Sequence, residues 1–203
     1  HIELGAKMVK FSNWEMPISY SSLIEEHNAV RNTVGIFDVS HMSVFDFDGD
    51  NQVDFFEKIF ANDIKKIYKD NKAIYGALLN EEGGILDELI IYHANNQFRL
   101  VSNCSTREQN RQWFEKHAVE FGVKVMERSD MGILAIQGPD ALNKILEIKE
   151  IDAQVNTLQS FGCMFEGDKL YARTGYTGED GLELIVPTQD INHLWDKALE
   201  LGC

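Results

Sequence analysis

Gly83-Gly84-Ile85-Leu86-Asp87-Glu88-Leu89-Ile90-Ile91-Tyr92 places a glycine turn, two adjacent acids and an apolar strand in one short run. Side chains along a strand alternate between faces. Glu88, Ile90 and Tyr92 therefore share one face, and Asp87, Leu89 and Ile91 share the other. Taking a carboxylate out of water costs several kcal/mol unless it is paired or neutralised. Two readings are open on local sequence alone. Either both acids sit in the exposed turn and cap the strand, or one face of this strand serves chemistry.

Reading outward, Ala73 to Leu79 and Phe98 to Ser102 are strands that flank Leu86 to His93. The turns between them are Asn80-Glu81-Glu82-Gly83-Gly84 and Asn95-Asn96. Met42 to Phe47 alternates as a strand and closes at Asp48-Gly49-Asp50. Helices are expected over Ser21 to Val34, Asn51 to Ile59 and Arg107 to Gly122, the last ended by its glycine. Gly35 to Ser40 interrupts as an apolar patch. The remainder repeats this grammar. Gly132 to Gln137 is a strand, Ala141 to about Ile148 a helix, Leu170 to Tyr176 and Leu182 to Val186 strands, and Gln189 to Leu201 a helix. Strand-helix-strands-helix thus occurs twice, so the expected class is α+β with two similar halves, about 1–128 and 129–203.

Bulk properties narrow the function. The 203 residues are 44% hydrophobic and 26% charged, an ordinary globular composition. No apolar run approaches the roughly 20 residues that span a bilayer, and the start His1-Ile2-Glu3-Leu4-Gly5 has no signal or transit character. A start without Met and an end at Leu201-Gly202-Cys203 suggest a chain truncated at both termini. Cys104, Cys163 and Cys203 are odd in number and lack metal-ligand spacing, which fits a reducing cytoplasm. No H-x-x-H or H-E-x-x-H pattern occurs among the six histidines, so no metal is expected. A formal charge of −14 opposes nucleic-acid and anionic-membrane binding.

Two constellations carry chemistry. If the strands through Tyr75, Tyr92 and Val101 are neighbours, one face gathers Glu88, Tyr75, Tyr92, Val101 and Asn103. Aromatic walls with a carboxylate and an amide suit a flat polar heterocycle, although for each tyrosine alone core filling is the favoured reading. The second is Tyr176-Thr177-Gly178-Glu179-Asp180-Gly181-Leu182-Glu183. Glu183 opens a strand, and a carboxylate can accept two parallel N–H donors from an amidine-like edge. A surface hairpin with a solvated acid is the plainer alternative. Asp38, Ser40 and His41 do not form a hydrolase triad, because no nucleophile-elbow pattern surrounds Ser40. His41 is expected to be a structural, hydrogen-bonded histidine.

These features resemble the glycine cleavage system T-protein, an aminomethyltransferase family, over essentially the whole chain. The matching stretches are Trp14-Glu15-Met16-Pro17-Ile18, Glu26-His27-Asn28-Ala29-Val30-Arg31, Gly35-Ile36-Phe37-Asp38-Val39-Ser40-His41-Met42, Gly83-Gly84-Ile85-Leu86-Asp87, Gln137-Gly138-Pro139 and Tyr176-Thr177-Gly178-Glu179. Each alone is weak; six in register are specific. The resemblance implies two related α+β subdomains around a central folate cavity, with a C-terminal barrel domain absent from this chain. It implies transfer of a one-carbon unit from the aminomethyl-lipoyl arm of an H-protein to tetrahydrofolate. The products would be 5,10-methylenetetrahydrofolate, ammonia and the dihydrolipoyl arm. Such a protein works in the cytoplasm, or in the mitochondrial matrix of a eukaryote. Folate contacts would fall on Met42, Tyr75, Tyr92, Val101, Asn103, Tyr176 and Glu183, with Glu183 on the amino-pyrimidine edge.

One position departs from the pattern. The family motif normally ends in two aspartates, the second assigned to catalysis, and here that place holds Glu88. A carboxylate is kept, but an added methylene displaces it by about an ångström, which can cost roughly 10²-fold in rate. Two other functions are therefore kept open. One is a folate-dependent transferase or demethylase with another one-carbon donor; the other is a non-catalytic folate-binding protein.

Overall fold

The structure is a computed structural model and describes residues 1–68 and 71–203. The chain opens with a 3-10 turn and a ribbon of β1 (Lys7–Phe11) and β2 (Trp14–Ser19), followed by α1 (Leu23–Asn32). Next come β3 (Gly35–Asp38), β4 (Ser43–Asp48), α2 (Gln52–Ile59), β5 (Lys72–Leu79), β6 (Ile85–Ala94), β7 (Gln97–Ser102) and α3 (Arg107–Phe121). Then follow β8 (Lys124–Glu127), β9 (Met131–Gln137), α4 (Ala141–Ile145), β10 (Cys163–Glu166), β11 (Lys169–Ala172), β12 (Gly181–Pro187) and α5 (Thr188–Glu200).

Among the described residues the strands outside the ribbon form two five-stranded antiparallel sheets. Their orders are β5-β6-β7-β4-β8 and β10-β11-β12-β9-β3. β5, β6 and β7 are neighbours, as the alternating runs and short turns require. The turn into β6 is built by Asn80, whose side chain accepts from the Glu82 and Gly84 amides at 3.0 and 2.7 Å. Gly83 supplies the left-handed backbone, φ 81°, that the turn needs. β3 pairs with β9, Gly35 opposite Gln137 and Asp38 opposite Leu134. The apolar patch after α1 is thus an edge strand of the second sheet, and the early chain is stitched into the later one.

Helices cover the outer face of each sheet, and the inner faces meet. Phe45, Leu89, Ile91 and Leu100 of the first sheet pack on Phe55, Phe56 and Phe114 of α2 and α3. Leu134, Ile136, Leu182 and Leu184 of the second pack on α4 and α5 through Ile145, Leu194 and Ala198. A third cluster lies between the sheets and joins Val44, Tyr92 and Val101 to Ile133, Ala135, Ala172 and Ile185. The period-2 rule explains the split: on β9, Leu134 and Ile136 face the helices while Ile133 and Ala135 face the other sheet. Each fully buried large apolar side chain here contributes about 1.5–3 kcal/mol.

Polar links also join the sheets. Arg99, 2% exposed, donates to both oxygens of Asp46 at 2.7 and 2.9 Å and to the Asp168 carbonyl at 2.7 Å. Asp168 lies in the β10–β11 turn, so this guanidinium reaches from one sheet to the other. Such bidentate geometry is specific to arginine.

Several boundaries differ from expectation. α1 begins at Leu23 because Ser22 caps it, its hydroxyl accepting from the Glu25 amide. It ends early because Thr33 leaves helical geometry. α4 stops at Ile145 rather than near Ile148. The strand expected to run to Tyr176 stops at Ala172. Beyond it the Tyr176 amide turns back to the Thr174 carbonyl, and the Gly178 amide to that of Gly175. No helix among the described residues is long and apolar enough to cross a membrane.

Candidate functional site

The two acids at the head of β6 point to opposite faces and have opposite fates. Asp87 faces α3 and is 7% exposed. Its Oδ1 accepts from the Glu88 amide at 2.8 Å and the Asn103 side chain at 2.6 Å. Its Oδ2 accepts from the Asn103 amide at 3.3 Å, Thr106 Oγ1 at 2.6 Å and Asn110 Nδ2 at 2.5 Å. Those five hydrogen bonds fill the carboxylate and replace its hydration. They tie the start of β6 to the end of β7 and the first turns of α3. Neither Thr106 nor Asn110 stood out in the sequence, although their i, i+4 spacing puts both on one helix face.

Glu88 faces the other way and is exposed. Tyr75 Oη donates to its Oε2 at 2.8 Å, across the β5–β6 pairing that sets Tyr75 opposite Ile90. That hydrogen bond to the Glu88 carboxylate is the main cause that raises the Tyr75 phenol pKa. The strand alternation therefore sorts the pair as the sequence indicates, and Glu88 reaches across to Tyr75. A surface cleft of about 390 Å³ opens beside Tyr75, lined also by Asn62, Lys66, Ile67 and Phe161. A second, of about 420 Å³, runs between Glu57 and Asp63 and includes neither acid.

Glu183 lies on the inner face of β12 and is 7% exposed. It is not a solvated hairpin acid. Its strand neighbours are small, Ala172 on β11 and Ala135 on β9, which leaves room for a longer chain between the sheets. Tyr92 Oη, from the facing sheet, donates to Glu183 Oε2 at 3.3 Å, and the Thr174 hydroxyl donates to the same oxygen. Oε1 has no donor among the described residues. Burial is the largest cause that raises the Glu183 pKa, against the two hydroxyl donors that lower it. Tyr92 is fully buried, and burial first, then the Glu183 charge, drives its pKa well up. Thr174 was not anticipated; its only sequence signal is adjacency to the Tyr176 turn.

The other anticipated residues divide. Met42 and Val101 join the cluster between the sheets, with Val101 2% exposed. Tyr176 is 48% exposed and meets the edge of Phe37 at 5.9 Å, and burial and the Glu183 charge raise its pKa. Asn103 lies past the end of β7, so alternation no longer governs it. Its amide nitrogen turns to Asp87 and to the Glu88 carbonyl, 3.2 Å away, rather than standing beside Val101. No triad hydrogen bonds form among the described residues: Asp38 accepts from the Ser40 amide at 3.0 Å and contacts His1 at 3.0 Å, and the Ser40 hydroxyl donates to the Ile133 carbonyl at 3.3 Å. His41 is not the hydrogen-bonded histidine expected. Its buried Nδ1 has no partner among the described residues, its ring meets the edge of Phe11 at 6.0 Å, and burial lowers its pKa.

Two facing antiparallel sheets with helices on their outer faces define an α+β two-sheet domain. Within that class, the chain belongs to the GCVT N-terminal domain family, whose model matches residues 1–203. It is 47% identical over 205 residues to the aminomethyltransferase of Alcanivorax borkumensis, with 100% of this chain and 56% of that protein covered. It is 44% identical over 206 residues to the aminomethyltransferase of Legionella pneumophila strain Paris, with 100% and 57% covered. The crystal structure of the glycine cleavage system aminomethyltransferase T from Bartonella henselae superposes with a TM-score of 0.90 at 33% identity. That match covers 98% of this chain and 55% of the other. A heterotetrameric sarcosine oxidase from Corynebacterium sp. U-96 shares the fold at a TM-score of 0.57 and 13% identity, covering 89% of this chain and 92% of the other. The chain thus spans a little over half the length of the curated relatives it matches.

Proposed function

We propose that this chain is the folate-binding part of a glycine cleavage aminomethyltransferase that moves a one-carbon unit from an aminomethyl-lipoyl H-protein to tetrahydrofolate. The observation that carries the reading is Glu183: buried between the sheets, held through Oε2, with Oε1 left for a ligand donor. A carboxylate so placed suits the paired N–H groups of an amino-pyrimidine edge. Tyr92 and Thr174 orient it. Tyr176 and Met42 supply the neighbouring aromatic and apolar contacts, and Tyr75 flanks the mouth beside Glu88. Tyr92 and Val101 act from beneath, since both are buried.

In the reaction proposed, the aminomethyl carbon loses its bonds to sulfur and to ammonia and gains two bonds to folate nitrogens. The two protons lost from those nitrogens balance the thiol and the ammonia. The exposed Glu88 carboxylate is assigned to the cationic carbon and to proton transfer, both open to an acid with a solvent-facing oxygen. The Tyr75 hydroxyl steadies it. Asp87 holds the end of β6 in place. A second reading makes Asp87 the reacting carboxylate, because five donors preorganise it directly behind Glu88.

The test uses the intact protein with tetrahydrofolate and aminomethylated H-protein, following ammonia release. No release would sink the aminomethyltransfer reading, and turnover only with other one-carbon donors would favour a related transferase. Glu88→Gln is expected to cost about 10²-fold in kcat with an unchanged melting temperature. Full activity in Glu88→Gln, with a folded but inactive Asp87→Asn, would move the chemistry to Asp87.

A further inference from the structure

One polar side chain between the sheets takes no part in the Glu183–Tyr92 pairing. Gln137 closes β9 and is fully buried. Two residues beyond Ala135, it shares the inner face of that strand and stands on the same side as Glu183. Its Nε2 donates to the Thr174 carbonyl at 3.4 Å, and its Oε1 has no donor among the described residues. That hydrogen bond orients the amide, because turning it over would set Oε1 against the Thr174 carbonyl oxygen. A buried acceptor without a donor is costly, and folded proteins keep few of them.

The sheet leaves this amide uncovered. Both cross-strand neighbours of Gln137 are glycines, Gly35 on β3 and Gly181 on β12. A Cβ at Gly181 would stand 2.9 Å from Gln137 Nε2 and closer still to the Ile136 carbonyl oxygen, so no side chain fits there. Gly181 opposes Gln137 and Glu183 opposes Ala135, which makes Glu183 and Gln137 diagonal neighbours on one face. Thr174 holds both of them. Its hydroxyl donates to Glu183 Oε2, and its carbonyl accepts from Gln137 Nε2. Each side chain is thus anchored through one terminal atom and keeps an oxygen, its Oε1, for another donor.

We propose that Gln137 is a second recognition residue of the Glu183 recess, its Oε1 accepting an N–H of the exocyclic amine of a 2-aminopyrimidinone ring. The assignment rests on the folate reading and refines it. An exocyclic amine carries two N–H groups that point apart. A carboxylate that takes one of them together with the adjacent ring N–H leaves the other for Gln137. A ring without the amine brings no donor to the amide, and a ring acceptor in its place meets an acceptor. Gln137 therefore selects aminated rings, while Glu183 supplies the charge.

The experiment is equilibrium binding to the intact protein of tetrahydrofolate and of its 2-desamino-2-methyl analogue, in which a methyl group replaces the amine. Native protein, Gln137→Met and Glu183→Gln are compared, with circular dichroism confirming the fold. Methionine fills a similar volume without the acceptor. The native preference for tetrahydrofolate over the analogue is expected to fall about tenfold in Gln137→Met, through weaker tetrahydrofolate binding alone. A merely loosened recess would weaken both ligands alike, so an unchanged preference overturns the assignment. If Glu183→Gln still weakens tetrahydrofolate in that case, the folate reading stands without Gln137. Native protein that does not bind tetrahydrofolate overturns both. A further readout needs no variant: the side-chain carbonyl carbon resonance of Gln137 should shift with tetrahydrofolate and not with the analogue. The same resonance unmoved by saturating tetrahydrofolate also overturns the assignment.

Discussion

Two carboxylate–tyrosine pairs face inward from the sheets, and burial separates their behaviour. Glu88 and Tyr75 meet at 2.8 Å with the phenol 53% exposed. Glu183 and Tyr92 meet at 3.3 Å with the phenol fully buried. The chemistry is the same, but the mouth pair lies open to water while the inner pair is almost wholly buried. An exposed pair of this kind contributes little to stability. In the buried pair, losing one partner leaves the other unsatisfied in a dry space. The mouth pair is thus free to serve a reaction, and the inner pair is fixed enough to recognise a ligand.

The sharpest way to break this contrast uses the third acid. Asp87 adjoins the exposed Glu88 in sequence but is buried like Glu183. Asp87→Ala leaves donors from Asn103, Thr106 and Asn110 without an acceptor and is expected to cost about 3 kcal/mol or more. Thermal unfolding should show a fall of roughly 6–12 °C. Glu88→Ala should stay within about 0.5 kcal/mol. Equal losses would mean that the exposure of the two acids does not set their roles.

Next in size, Glu183→Ala orphans the Tyr92 and Thr174 hydroxyls and should cost about 2 kcal/mol, read by denaturant melts. Glu183→Gln keeps the shape and tests the charge. Burial raises the folded-state pKa of Glu183, so its carboxyl favours the fold in the neutral form. That contribution is present below the ordinary carboxylate range near pH 4 and is lost as pH rises through the raised value. Measured against Glu183→Gln, the native protein should therefore lose ground in melting temperature as pH rises above the ordinary carboxylate range. A difference that stays constant with pH would contradict the buried, ionisable assignment. The smallest effect belongs to the mouth: Glu88→Gln should let the Tyr75 phenol titrate at lower pH, because the Glu88 hydrogen bond is what raises it. Ultraviolet titration against Tyr75→Phe isolates that tyrosine.

Much of this architecture is legible in the sequence because it rests on period-2 alternation. The faces of β6 sort Glu88 with Tyr92 and Asp87 with Leu89 without any coordinates, and the Asn80 and Gly83 turn fixes where β6 begins. What escaped depends on pairings distant in the chain. β3 is too short to read as a strand until β9 lies beside it. The β1–β2 ribbon lies outside both large sheets, and none of its side chains is fully buried. Thr174 and Asn110 gain meaning only from the acids they hold, which lie 9 and 23 positions away. Asn103 departs from the Val101 face because strand alternation ends with β7 at Ser102.

Glu183, between the sheets, is the proposed recognition point for tetrahydrofolate. Its most direct test is equilibrium binding of tetrahydrofolate to the intact native protein and to Glu183→Gln, with circular dichroism confirming that both are folded. Loss of a charge-assisted hydrogen bond of about 1.5–3 kcal/mol predicts a Kd raised roughly 10- to 100-fold. A folded Glu183→Gln that binds tetrahydrofolate with the native Kd would contradict the account.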